Sequence, residues 1–221
     1  MAKVKLSTKV GELKYVFIKG EGRNQEIDPT ATPNMCFTAN VVFPKDSEQH
    51  KHILEGLNRA WEEYKKEEPK AKGTLKSSSL KDEYIKDPKG EIDPETDEVR
   101  RIPTGNVIVS AYTKTTWADG KSKIVKLFDG KGNDITVGYA NVDWSIGEGS
   151  TGVLHTIAVG NTGGGNAKIT LYLNAVQLGK LVKYEGDSIE TATDLGEEID
   201  MGDAVSALPT DDSSDNKPDI D

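Results

Sequence analysis

One cysteine, Cys36, stands in the whole sequence. No disulfide can therefore close within the chain, and such sparing use suits a reducing compartment. Histidine is nearly as scarce. His50 and His52 are two apart on a predicted helix and so do not share a face, His155 is remote, and Cys36 has no CxxC partner; no metal site is expected. No apolar run approaches ~20 residues, so no helical membrane span is expected. The opening MAKVKLS has no apolar h-region, which predicts no signal peptide. These absences together predict a soluble cytoplasmic protein without cofactor, metal or membrane partner.

Charge is plentiful but unevenly placed. The 221 residues hold 28 Lys+Arg and 37 Asp+Glu. Residues 185–221 take 13 of the acids and only one base, Lys217, for a net of −12. The first 184 residues keep 27 bases and 24 acids, a net of +3. We therefore divide the chain into a mildly basic body, 1–184, and an acidic tail, 185–221. The tail has no aromatic residue from Asp194 onward and ends TDDSSDNKPDID. High charge with low hydrophobicity predicts that it is largely disordered. A body that binds polyanion, with a tail that competes for the same surface, is the simplest physical use of this asymmetry.

The body reads mostly as strands. Residues 13–18 form a β-rich run ended by Gly20 and Gly22. Met35, Phe37, Ala39, Val41 and Phe43 alternate with Thr38 and Asn40 in a half-buried strand that Pro44 ends. One helix is predicted over 46–68. Asp46 with Gln49 resembles a capping box. Ile53, Leu54, Leu57, Ala60, Trp61 and Tyr64 make one apolar stripe, which assigns Trp61 and Tyr64 to the core. Residues 69–105 are polar and read as a long excursion loop. From Asn106, Val107, Val109, Ala111, Thr113 and Thr115 form a core face, so Ile108, Ser110, Tyr112 and Lys114 project from the other. Ala118-Asp119-Gly120-Lys121 is a hairpin turn signal before a returning strand over 123–128. A last pair, 153–159 and 168–178, is joined by the glycine-rich 160–165. Several short strands, one helix and no βαβ rhythm predict a small barrel.

Chemistry-bearing motifs are few. Residues 147–152 spell GxGxxG, but a strand-like run follows where a dinucleotide fold needs a helix. Asp93, Glu95 and Asp97 mimic the start of a calcium loop, but Glu98 holds its sixth position, where glycine is required. No nucleophile elbow or P-loop appears, and an unstructured tail cannot preorganise a reaction. We expect no enzymatic activity.

What remains is aromatic residues interleaved with basic ones. Binding single-stranded nucleic acid needs a positive track for the backbone and rings for the bases. Tyr112 with Lys114 is the best such pair. Tyr15 with Lys14 and Lys19 is next, with Phe17 open between core and surface. Lys121 and Lys123 lie at the adjacent hairpin. Lys72 and Lys76 lie in the excursion segment, with Arg100 and Arg101. For each cation the competing reading is a solvated surface charge. Trp117 and Trp144 sit near turns, where a Trp either packs or stacks.

The order of these pieces resembles a known family: phage single-stranded DNA-binding proteins, OB-fold proteins with an acidic C-terminal tail, found in podoviruses and related tailed phages. The pieces are MAKVK, the run Leu13-Lys14-Tyr15-Val16-Phe17-Ile18-Lys19-Gly20, and residues 33–44 leading into the helix. Lys72-Gly73-Thr74-Leu75-Lys76, Ser110-Ala111-Tyr112, the DGKG turn and the closing strand pair complete them. The resemblance implies a five-stranded Greek-key OB barrel with one helix after the second strand region. It implies non-specific binding, protection and annealing of single-stranded DNA in phage replication and recombination, in the host cytoplasm. Lys3, Lys72 and Tyr112 match the family's DNA contacts. The tail is then expected to compete with DNA and to recruit polymerase or helicase/primase through Asp211, Asp212, Asp215, Asp219, Ile220 and Asp221. A homodimer is a further expectation. The chain departs from the family at 160–165, where the family carries aromatics, and at its end, where Ile220 rather than an aromatic is the apolar anchor. Two other readings stand beside this one: a protein-interaction or structural OB-like module, and an oligosaccharide binder. Steep salt dependence belongs to the nucleic-acid reading alone.

Overall fold

The computed structural model describes residues 3–26, 28, 30–162 and 167–184. The tail residues Asp211, Asp212, Asp215, Asp219, Ile220 and Asp221 lie outside the described residues, as do 163–166. Among the described residues the architecture is mainly β, with one long helix. None of the described helices is long and apolar enough to cross a membrane.

In chain order the strands are β1 (Lys3–Ser7), β2 (Gly11–Phe17), β3 (Arg23–Asn24), β4 (Met35–Pro44), β5 (Leu80–Lys86), β6 (Arg101–Lys114), β7 (Lys126–Phe128), β8 (Ser145–Ile146), β9 (Thr151–Asn161), β10 (Lys168–Lys180) and β11 (Lys183–Tyr184). Helix α1 (Glu48–Glu67) follows β4, and the short α2 (Thr136–Ala140) follows β7. Five strands pair in a circuit: β2 with β4, β4 with β6, β6 with β10, β10 with β9 and β9 with β2. All are antiparallel except β6 with β10, which meet at the single parallel pair Tyr112–Tyr172. Beside that pair, residues 76–79 wedge into the seam. The Ile169 N–H donates to Lys76 O at 2.8 Å, Leu171 N–H to Ser79 Oγ at 2.9 Å, and Ser110 N–H to Ser79 O at 2.7 Å. Backbone groups that the short β6–β10 contact leaves open are met this way.

The core fills the inside of this circuit. Phe37, Ala39, Val41 and Phe43 of β4 and Val107, Val109, Ala111 and Thr113 of β6 all point inward and are buried. Leu13, Leu154, Ala158, Leu171 and Leu173 complete it. Helix α1 lays Ile53, Leu57, Ala60, Trp61 and Tyr64 against β1 and β9. The approach is close. A Cβ on Gly160 of β9 would collide with the Tyr64 ring, and one on Gly56 with Leu6 of β1.

Four local expectations need correction. The cap of α1 is Ser47, not Asp46: the His50 N–H donates to Ser47 Oγ at 3.2 Å, while the Asp46 N–H donates to His50 Nδ1 at 3.0 Å. Leu54 of the predicted stripe is only half-buried. The stretch 69–105 is not one loop. It contains β5, which pairs with a β6 that starts at Arg101 rather than Asn106. Its strand character rests on ladder hydrogen bonds, because only Glu83 within β5 is buried. Finally, 123–128 does not return along β6. Pairing across the hairpin stops at residues 115–123, around the Thr116–Ser122 bridge, and β7 pairs parallel with β10, Ala175 opposite Lys126.

Candidate nucleic-acid interface

Register places side chains on the outside of the circuit in rows. Phe17 of β2 lies opposite Thr38 of β4, Thr38 opposite Tyr112 of β6, and Tyr112 opposite Tyr172 of β10. The row continues through Ile157 of β9 to Lys5 of β1. Paired residues project to the same side of a sheet, so Phe17, Tyr112 and Tyr172 share one outer surface. Tyr112 is 37% exposed and Phe17 41%. The Tyr112 and Tyr172 rings touch, with centroids 5.7 Å apart and planes at 51°. Burial, then the neighbouring Tyr172, raises the Tyr112 phenol above the ordinary tyrosine value.

A basic row runs beside it. Arg23 of β3 lies opposite Cys36 of β4, and Cys36 opposite Lys114 of β6. Lys114 is two residues from Tyr112 on the same face, about 7 Å along the strand. The Arg23 guanidinium lies 5.4 Å from the Phe17 ring, and Lys123 Nζ 4.3 Å from the Trp117 ring. Both are cation–π distances. No carboxylate partners Arg23, Lys114 or Lys123 among the described residues. Burial, then the charge of Lys114, lowers the Lys123 amine below the ordinary lysine value. Two like charges held together without a counterion are poised for an anion.

Tyr15 stands at a bulge of β2 between Lys14 and Phe17. Its φ of 52° is unusual for a residue with a Cβ, and its side chain is 53% exposed. Bulges re-aim side chains, and left-handed strain of this kind gathers at functional positions. Tyr15 and Phe17 therefore both face solvent where the sequence left Phe17 undecided.

The other sequence candidates divide. Lys3 and Lys5 are exposed on β1, with Lys5 in the aromatic row. Lys76 is exposed at the seam, where its carbonyl meets Ile169, three residues along β10 from Tyr172. Lys72 is exposed just beyond α1. Lys14 is placed differently: it is half-buried and its Nζ donates to Glu83 Oε1 at 3.0 Å. Glu83 also accepts from Thr104 Oγ1 at 2.8 Å and Asn106 Nδ2 at 3.1 Å, so Lys14 is committed to tying β5 to β2. Lys19 is committed likewise, donating to the carbonyls of Val142 and Trp144 at 2.7 and 2.6 Å. Lys121 pairs with Asp119 at 3.0 Å, and Arg100 with Glu91 at 3.6 Å. Arg100 and Arg101 lie at the far end of β6, about 35 Å of strand from Tyr112. They do not join the aromatic row.

The sequence reading missed Tyr172 and Arg23. Tyr172 is hidden in the nearly continuous run Ile169-Thr170-Leu171-Tyr172-Leu173, where alternation is weak. Arg23 sits on a strand of two residues, too short for any periodic signal. Trp144 packs: its ring lies 5.3 Å from Tyr139, with Lys183 Nζ 5.1 Å from it. Trp117 is 59% exposed.

Neither a protein-family model nor a characterised relative matches the sequence. Solved structures do. The chain resembles the crystal structure of gp2.5, a single-stranded DNA-binding protein encoded by bacteriophage T7, at a TM-score of 0.53 and 14% identity, over 86% of this chain and 98% of that one. It also matches the single-stranded DNA-binding protein from bacteriophage Enc34 in complex with ssDNA (TM-score 0.43, 16% identity, 80% of this chain and 85% of that one). The C-terminally truncated Enc34 protein aligns at a TM-score of 0.47 and 15% identity, over 80% and 84%. The fold likeness rests on the first of these.

Proposed function

We propose that this protein binds single-stranded DNA, without sequence preference, across the outer surface of β2, β4, β6 and β10. The observation that carries the reading is the pair of rows: Phe17, Tyr112 and Tyr172 as stacking platforms, with Arg23, Lys114 and Lys123 beside them, none partnered by a carboxylate among the described residues. Every base has a face to stack and every nucleotide a phosphate, so this surface suits any sequence. The likeness to the T7 protein supports the fold side of the reading. We read the five-strand circuit, with its one parallel contact, as the Greek-key OB barrel that the sequence resemblance implies. On that reading the role is protection and annealing of single strands in phage replication and recombination. The acidic segment 185–221 competes with DNA and recruits polymerase or helicase/primase.

A fluorescence titration with poly-dT at two salt concentrations tests it. Binding should be present at low salt and weaken with log salt at roughly −0.7 per phosphate contact. Absence of binding at low salt would remove the reading. In that case the protein-interaction alternative gains from Tyr84, Ile85 and Ile92, which stand exposed on and beyond β5, far from the two rows.

A further inference from the structure

Beyond the basic row, beside the hairpin of residues 115–123, lies a cleft of about 530 Å³. Its lining is apolar on one part, from Pro33, Met35 and Phe37, and polar on the rest, from Thr115, Thr116, Ser122 and Lys123, with Gly20 and the carboxylate of Glu21 completing it. The hairpin holds the polar part in place. The Thr115 N–H donates to Met35 O at 3.1 Å, the Lys123 N–H to Thr115 O at 2.7 Å, and Thr116 bridges Ser122. The order along the chain matters: Tyr112 in the aromatic row, Lys114 in the basic row and Thr116 at the cleft follow at intervals of two. A strand lying on the two rows is thus delivered to the cleft.

We infer that the cleft takes one nucleobase of the bound strand, unstacked from its neighbours and inserted edge-first. This inference rests on the proposed single-stranded DNA binding. The apolar part of the lining suits a base's face. The hydroxyls of Thr116 and Ser122 suit the donors and acceptors of its edge, and Lys123 stands where the attached phosphate passes. The volume admits a single base with room to spare. A base in a duplex is paired and stacked and cannot enter without flipping, which costs a few kcal/mol. The cleft therefore gives the surface a preference for single strands that stacking and charge alone supply less sharply.

The test uses the full chain and two variants at exposed positions, Ser122→Leu and Thr116→Leu, each of which fills the cleft without adding a ring or a charge. Affinity is measured for oligo-dT and for duplex DNA, with thermal melting as the check on folding. We expect oligo-dT affinity to fall about 5- to 150-fold, the worth of one base contact, with duplex affinity and melting unchanged. In the unmodified protein, a 2-aminopurine placed in oligo-dT should brighten on binding, and Ser122→Leu should abolish that signal. Folded variants with unchanged oligo-dT affinity would overturn the inference, as would an equal loss for oligo-dT and duplex. An unmodified chain that fails to bind oligo-dT would instead remove the single-stranded DNA reading, and this inference with it.

Discussion

Tyr112 and Tyr172 form the one parallel pair that joins β6 to β10, and their rings meet at 5.7 Å on the outside of the seam. The contact that closes the strand circuit is thus also the centre of the aromatic row. Replacing either ring by alanine should cost about 1–3 kcal/mol of single-stranded DNA affinity. Because the rings touch, the double variant should lose less than the sum of the two. Tyr112→Ala should barely change thermal stability, since the core lies on the opposite face of β6. A folded Tyr112→Ala protein with undiminished oligo-dT affinity would mean that the row is not the binding surface.

Lys14 and Glu83 yield the opposite expectation. Their ion pair is largely shielded, with side-chain exposures of 18% and 7%. Lys14→Ala should cost roughly 1–3 kcal/mol of stability by leaving a buried carboxylate short of a donor. It should leave DNA affinity nearly intact, although the sequence alone nominates Lys14 as a DNA contact. Urea unfolding beside an oligo-dT titration separates the two effects.

The same network sets a pH dependence. Burial pushes the Glu83 carboxyl up, but Asn106, Thr104 and Lys14 together outweigh it, and the folded value lies below the ordinary 4.5. A depressed carboxyl stabilises the fold above its unfolded value and loses that contribution as pH falls through the folded one. Stability should therefore decline below about pH 4.5, and Glu83→Gln should flatten that decline. Lys14 is raised: burial lowers it, but its bond to Glu83 and the charges of Glu12, Glu83 and Glu148 prevail. Its contribution is complete below the ordinary lysine value and fades as pH rises through the folded one. Unfolding midpoints across a pH series read both limbs.

Helix packing supplies a control variant. The Tyr64 ring fills the space where a side chain on Gly160 would stand. Gly160→Ala should destabilise by about 1–3 kcal/mol through overpacking. Calorimetry measures this, and no loss would mean that α1 shifts freely on β9.

Which parts of this were legible beforehand follows from sequence distance and periodicity. The stripe Ile53, Leu57, Trp61 and Tyr64 and the alternation of Val107, Val109 and Ala111 are local patterns set by burial, and both bury the faces they predict, although β6 begins at Arg101. β5 was not legible, because a strand whose side chains mostly face solvent leaves no apolar rhythm. The parallel pairing of β7 with β10 joins residues some fifty positions apart, and the turn signal at 118–121, before β7, points to a simple hairpin instead. Lys14 looked free because its partner Glu83 is 69 residues away. Lone cations are visible in a sequence; their counterions are not.

The charge split gives the last prediction. Residues 185–221 carry a net −12 on a body of net +3, and among the described residues no carboxylate partners Arg23, Lys114 or Lys123 beside the aromatic row. A tethered polyanion competes for such a surface at an effective concentration on the order of millimolar. Deleting residues 194–221 should therefore tighten oligo-dT binding. The gain should be largest at low salt, where screening is weakest, and should shrink as the Debye length falls towards about 8 Å at physiological ionic strength. A charge-neutralised segment, its Asp and Glu changed to Asn and Gln, should match the deletion if charge is the cause, whereas steric blocking would leave the neutralised protein like the intact one. Equal affinities of intact and truncated protein at low salt would reduce the segment to a solubility device.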